Sequence, residues 1–155
     1  MPVYKWKEDF RFPTPAQLAG ERLETIREKN GGKLTPKDVV EDSRPEDSPL
    51  HHCFEWDDEK AAESFRLNQA RAIINHVVAV VQHDEKEYNV RAFVSVTTKG
   101  SDRHYTSMGY AMSQEDLRKQ VVQSAWRELE GWKNRYKEYE ELSTVFNAID
   151  AVKVA

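Results

Sequence analysis

The chain of 155 residues holds one cysteine, Cys53. A single thiol cannot close an internal disulfide or build a zinc site from several cysteines. The expected compartment is therefore a reducing cytoplasm. Long apolar runs are absent too, and no stretch approaches the roughly 20 residues of a membrane-spanning helix. Residues 1–12 alternate charged and aromatic side chains and lack the apolar centre of a signal peptide. Neither export nor a membrane partner is expected.

Positive charge is not in excess. Lys and Arg number 23 against 27 Asp and Glu, for a net charge of −4. A protein that coats DNA without sequence preference needs the opposite balance. Any DNA contact must come from a local basic face. The sequence also lacks a glycine-rich phosphate loop, a nucleophile elbow and a zinc-protease helix. These absences favour a binding protein over an enzyme, with no cofactor and no small-molecule substrate. An enzymatic alternative would rest on His51, His52 or His104. The adjacent His51, His52 and Cys53 are not expected to hold a metal, because a tetrahedral site needs four converging ligands.

What is present suits one ordinary domain. Hydrophobic residues make up 39% and charged residues 32%, so a small core with long solvated helices is expected. Tyr4, Trp6, Phe10 and Phe12 alternate with charged residues, which predicts an extended arm over residues 1–13. Two readings of the arm stay open: a strand on its own domain, or an arm that docks on another molecule through Tyr4, Trp6 and Phe10. Residues 14–150 then form the domain: a helical unit over 14–76, a β-meander over 77–112 and a helical region over 113–150.

In the helical unit, Thr14-Pro15-Ala16-Gln17 reads as a capping box opening a helix to about Lys29, stopped by Gly31-Gly32. Thr35-Pro36-Lys37-Asp38 opens a short second helix. Asp57 or Asp58 caps a third, over residues 59–76. The order of the last two resembles a helix-turn-helix with an overlong turn. On that analogy Lys60, Ser64, Arg66, Asn68 and Arg71 are the candidate DNA contacts.

The β-branched run from Val77 to Val81 predicts a strand. The alternation through Val90, Ala92, Val94 and Val96 predicts a second, and residues 104–112 a third with a bulge at Gly109. Beyond Ser113, apolar residues recur with heptad-like spacing, in one helix or in two with a joint near Glu140. Trp126, Trp132, Tyr136 and Tyr139 fall on this seam. They pack inward or serve as partner contacts, since aromatics concentrate at binding hot spots. The expected fold class is α+β: the helical unit, a three-stranded antiparallel sheet and a long C-terminal helix or helical hairpin.

Several stretches carry a family resemblance. They are residues 34–41, Ser48-Pro49-Leu50-His51, Phe54-Glu55-Trp56-Asp57-Asp58, Ala61-Ala62 and Gln69-Ala70-Arg71. Trp132, Arg135-Tyr136, Glu140-Glu141-Leu142, Val145-Phe146 and Ala148-Ile149-Asp150 continue it towards the end. Together they resemble a group of small proteins encoded by bacteriophages and prophages, over most of residues 33–150. The resemblance implies a phage origin and supplies no catalytic residues. It implies a regulatory or accessory factor in recombination directionality, excision or transcription, with a phage or host recombinase or regulator as partner. The alternative it leaves open is an inhibitor of a host defence enzyme.

Overall fold

Alternation at the N-terminus does form a strand, and the strand stays on its own fold. In the computed structural model, which describes residues 2–58, 60 and 62–153, β1 (Val3–Trp6) pairs antiparallel with β2 (Val77–His83). Tyr4 lies opposite Ala79 and Trp6 opposite Val77. Helix α1 (Ala16–Lys29) runs beneath, and its Gly20 is the seat of the Tyr4 ring. The expected capping box is not formed, because both of its side chains find partners across the fold. The Thr14 hydroxyl donates to the Pro49 carbonyl at 2.6 Å. Gln17 Oε1 accepts from the Tyr4 amide at 2.9 Å. Residues that read as a local helix start thus tether the N-terminal strand and the 49–53 turn.

Gly31 and Gly32 end α1 with φ of 64° and 89°, backbone that glycine adopts without penalty. Helix α2 (Pro36–Ser43) is capped as its sequence predicts, with Thr35 Oγ1 accepting from the Asp38 amide at 3.1 Å. A 3-10 turn follows at His51–Cys53. Helix α3 (Glu63–His76) begins later than expected and packs on α2. No aspartate caps it; Ala62 holds the N-cap position. Of the expected first turn, Glu59 and Ala61 lie outside the described residues. Leu23, Leu34, Val39, Leu50, Ile73 and Val77 lie in the main core between these helices and the sheet. Burying each contributes roughly 1.5–3 kcal/mol.

A three-stranded antiparallel sheet is present, but its members differ from the expected meander. It runs β1-β2-β3, with β3 at Lys86–Arg91. Asp84 and Glu85, both at positive φ, make the β2–β3 turn. The predicted strand through Val90 and Val96 bends at Ala92 and changes sheets. Its second half, β4 (Phe93–Val96), pairs with β5 (His104–Ser107) in a separate two-stranded sheet. Leu34 bridges the far side of β5 through Tyr105, with 2.7 Å bonds in both directions.

Residues 108–112 are helical, not strand, so Gly109 makes no bulge. Ser107 Oγ accepts from the Tyr110 amide at 3.3 Å and starts α4 (Met108–Ser113). The Met108 amide bonds the Ala92 carbonyl at 2.9 Å, which locks the bend to the helix start. Beyond it stand α5 (Glu115–Tyr136), a 3-10 turn at Glu140–Leu142 and α6 (Ser143–Lys153). Of the two C-terminal readings, the jointed one holds. Val94, Val96, Ala111 and Leu117 form a second, smaller core that roots α5.

Candidate partner-binding surface

Of the residues expected to meet DNA, Arg66 turns away from solvent. Arg66 is only 5% exposed. Its Nε donates to the Glu55 carbonyl at 3.0 Å and its Nη2 to Asp58 at 2.6 Å. The guanidinium also stands 5.4 Å from the centre of the Trp56 ring. Its position therefore serves the 54–58 segment and not the solvent face. Ser64, Asn68 and Arg71 are exposed on one side of α3, with Arg71 donating to Asn68 at 3.0 Å. Lys60 is exposed and pairs with Asp57 at 3.8 Å.

Trp56 organises its surroundings. His51 stacks on it at 5.2 Å, and Arg44 lies 5.6 Å from the ring centre. Its Nε1 donates to the His51 carbonyl at 2.8 Å. Cation–π contacts at such distances contribute about 0.5–2 kcal/mol each, more when desolvated. The Arg66 guanidinium, by hydrogen bond and charge, holds the Asp58 carboxyl below its ordinary value. The acidic knot at Glu55–Asp58 is thus an anchor for Arg66. His104, by contrast, is buried on β5 with Nδ1 2.9 Å from the Asp102 carbonyl. Among the described residues, no group of three or more His, Cys, Asp or Glu is placed to hold a metal.

The arm residues divide. Tyr4 is 7% exposed and belongs to the core, where burial and the nearby Glu24 and Glu21 push its phenol upward. Trp6 packs on Phe12 at 4.5 Å and donates to the Thr14 carbonyl at 3.1 Å. Phe10 stacks on His76 at 3.6 Å but stays exposed. Of the expected arm contacts, Phe10 is exposed, Trp6 half-buried and Tyr4 buried.

The C-terminal seam leaves several apolar side chains uncovered. Helix α5 has 22 residues, yet Leu117 is its one buried member. Trp132 meets Phe146 at 5.6 Å, and Lys133 forms an ion pair with Asp150, so α6 folds back on the distal half of α5. Phe146 and Ile149 are buried by that closure. Tyr136 and Tyr139 stay exposed at the hairpin tip, 6.0 Å apart. On the proximal half, Val122 and Trp126 stand one helical turn apart, flanked by Arg118, Lys119 and Glu115. Val122 is 43% exposed. Trp126 and Trp132 are both half-buried, Trp132 against Phe146 of α6, while Val122, Tyr136 and Tyr139 are exposed.

Three further residues meet along β4 that sequence reasoning passed over: Ser95, Arg103 and Gln120. They sit in separate segments, and only the β4–β5 pairing and the lie of α5 bring them together. Among the described residues, no helix is long and apolar enough to cross a membrane. In comparisons with known proteins, the chain matched no family model, no curated protein and no solved structure.

Proposed function

We propose that this protein is a non-enzymatic accessory factor that docks on a protein partner through the open face of its C-terminal helical arm. One observation carries the reading: a 22-residue helix rooted by Leu117 leaves Val122 and Tyr136 exposed, with Trp126 half-buried one turn from Val122. Apolar side chains at one-turn spacing, rimmed by both signs of charge, suit an amphipathic helix of the partner. Aromatic anchors on such a face supply most of the binding energy. The resemblance of residues 33–150 to phage-encoded proteins orients the choice of partner towards a recombinase or transcription regulator. Arg66 is committed to Trp56 and Asp58, so direct DNA contact through α3 is not part of the proposal.

The test is affinity capture from phage-infected cells with and without nuclease, using the natural chain and a Val122→Asp, Trp126→Asp variant. A recombinase or regulator retained after nuclease by the natural chain and released by the variant is the expected result. Equal retention by both chains, or collapse of all capture with nuclease, overturns it.

A further inference from the structure

Strand β4 keeps one edge open. Val94 and Val96 pair with Thr106 and His104, so their peptide groups face β5. Alternation turns the peptide groups of Phe93, Ser95 and Thr97 to the opposite side. At Thr97 that side is met by a side chain of α5. Gln120 Oε1 accepts from the Thr97 amide at 2.8 Å, and Gln120 Nε2 donates to the Thr97 carbonyl at 2.7 Å. A primary amide offering donor and acceptor together reproduces the pair of bonds that a neighbouring strand would make. Two residues back, the Ser95 amide and carbonyl have no partner among the described residues.

Beside Ser95 lies a cleft of about 240 Å³ between β4 and α5. Val94, Met108, Val121 and Ala125 give it an apolar lining. One end is closed by the Arg91–Glu128 ion pair at 3.0 Å. At the other, the Arg103 side chain reaches over to β4 and its Nε donates to Ser95 Oγ at 2.8 Å. Four of its five N–H donors remain, and among the described residues no carboxylate pairs with it. A planar guanidinium with both terminal nitrogens free is arranged for bidentate binding of a carboxylate.

We propose that this cleft binds an extended acidic segment of another protein, which adds to the β4 edge at Ser95 and sets a carboxylate on Arg103. The segment supplies the two backbone bonds that Gln120 supplies at Thr97. Its apolar neighbour enters the lining of Val94, Val121 and Met108. A helix, about 10–12 Å across with its side chains, does not fit so small a space. At the other end of the cleft Arg91 is already paired with Glu128, so among the described residues of the lining only Arg103 is free to take the carboxylate, which fixes the direction of the segment. The cleft uses the inner side of α5 (Val121, Ser124, Ala125), not the outward side with Val122 and Trp126, so its failure leaves the docking reading intact.

The experiment selects a random heptapeptide library on the purified full chain. It then measures the enriched peptide by fluorescence polarisation against the natural chain and Arg103→Ala. Circular dichroism confirms that the variant is folded, since Arg103 is exposed. Enrichment of Asp or Glu between β-branched residues is expected, with at least a tenfold loss of affinity in Arg103→Ala. N-methylation of the peptide at one parity of residues should abolish binding, and at the other parity leave it. No enriched peptide, binding indifferent to Arg103 or to N-methylation, helical apolar spacing, or full competition by acetate alone would each overturn the proposal.

Discussion

Replacing Gly20 by alanine should destabilise this protein, although the helix itself gains. In an exposed helix interior the change stabilises by about 0.8–1.0 kcal/mol, because glycine has the greater backbone freedom to lose. Here a Cβ on Gly20 would meet the Tyr4 ring, with Cδ1 2.6 Å away and Cγ closer still. Carbon atoms are content at about 3.5–4.0 Å, so the ring must retreat by about 1 Å or more. It has little room to do so. Its backbone is held opposite Ala79 in the sheet and by Gln17 at 2.9 Å. Overpacking of this kind costs about 1–3 kcal/mol, and expelling the ring forfeits a similar sum. The net expectation is a loss of up to about 2 kcal/mol. In a Tyr4→Ala background the obstacle is gone, and Gly20→Ala should stabilise by about 0.8–1.0 kcal/mol. Urea unfolding of the four chains of this double-mutant cycle measures the coupling. Stabilisation by Gly20→Ala in both backgrounds would refute the seating of Tyr4 on α1 and return β1 to the status of a free arm.

The remaining predictions concern charge and the C-terminal arm. The Asp58 carboxyl should titrate below its ordinary value by NMR, and Arg66→Met should restore it. Because the folded-state value is depressed, the stability it contributes is present above the unfolded value of 3.8 and is lost as pH falls through the folded one. An unshifted Asp58 would break the anchor assigned to Arg66. The Tyr4 phenol is raised from 10.0, so its contribution is intact below pH 10 and is lost as pH climbs through its folded value; absorbance titration should show one tyrosine ionising late. Phe146→Ala should cost about 3–5 kcal/mol of local stability and release α6, accelerating amide exchange in residues 143–153 while β2 and α1 stay protected. Val122→Asp, at an exposed position, should shift global stability by less than about 0.5 kcal/mol and act on binding instead.

How much of this could be read in the sequence varied with the range of the interactions involved. The cap at Thr35 was legible because Asp38 and Pro36, its partners, are neighbours in the chain. The same signature at Thr14 and Gln17 failed because Pro49 and Tyr4, far away in sequence, offered those side chains better-placed partners. The alternation from Val90 to Val96 named a strand correctly but hid the change of sheets at Ala92. That bend depends on a bond from Met108, and no local pattern marks it. Residues 108–112 alternate like a strand, yet the Ser107 cap and the covering of Ala111 by the second core made them helical. Arg66 read as a solvated helix position because nothing near it in sequence shows the Trp56 ring facing it. The open seam of α5 was visible as spacing. Which half α6 would cover was not, since it turns on the joint between Tyr136 and Ser143.

The most direct test of the docking claim is amide hydrogen exchange on the protein alone and in complex with the partner captured from infected cells. New protection is expected on α5 at Glu115–Tyr136 and at the hairpin tip, with α3 unchanged. Protection confined to Glu63–His76, with α5 exchanging as freely as before, would contradict it.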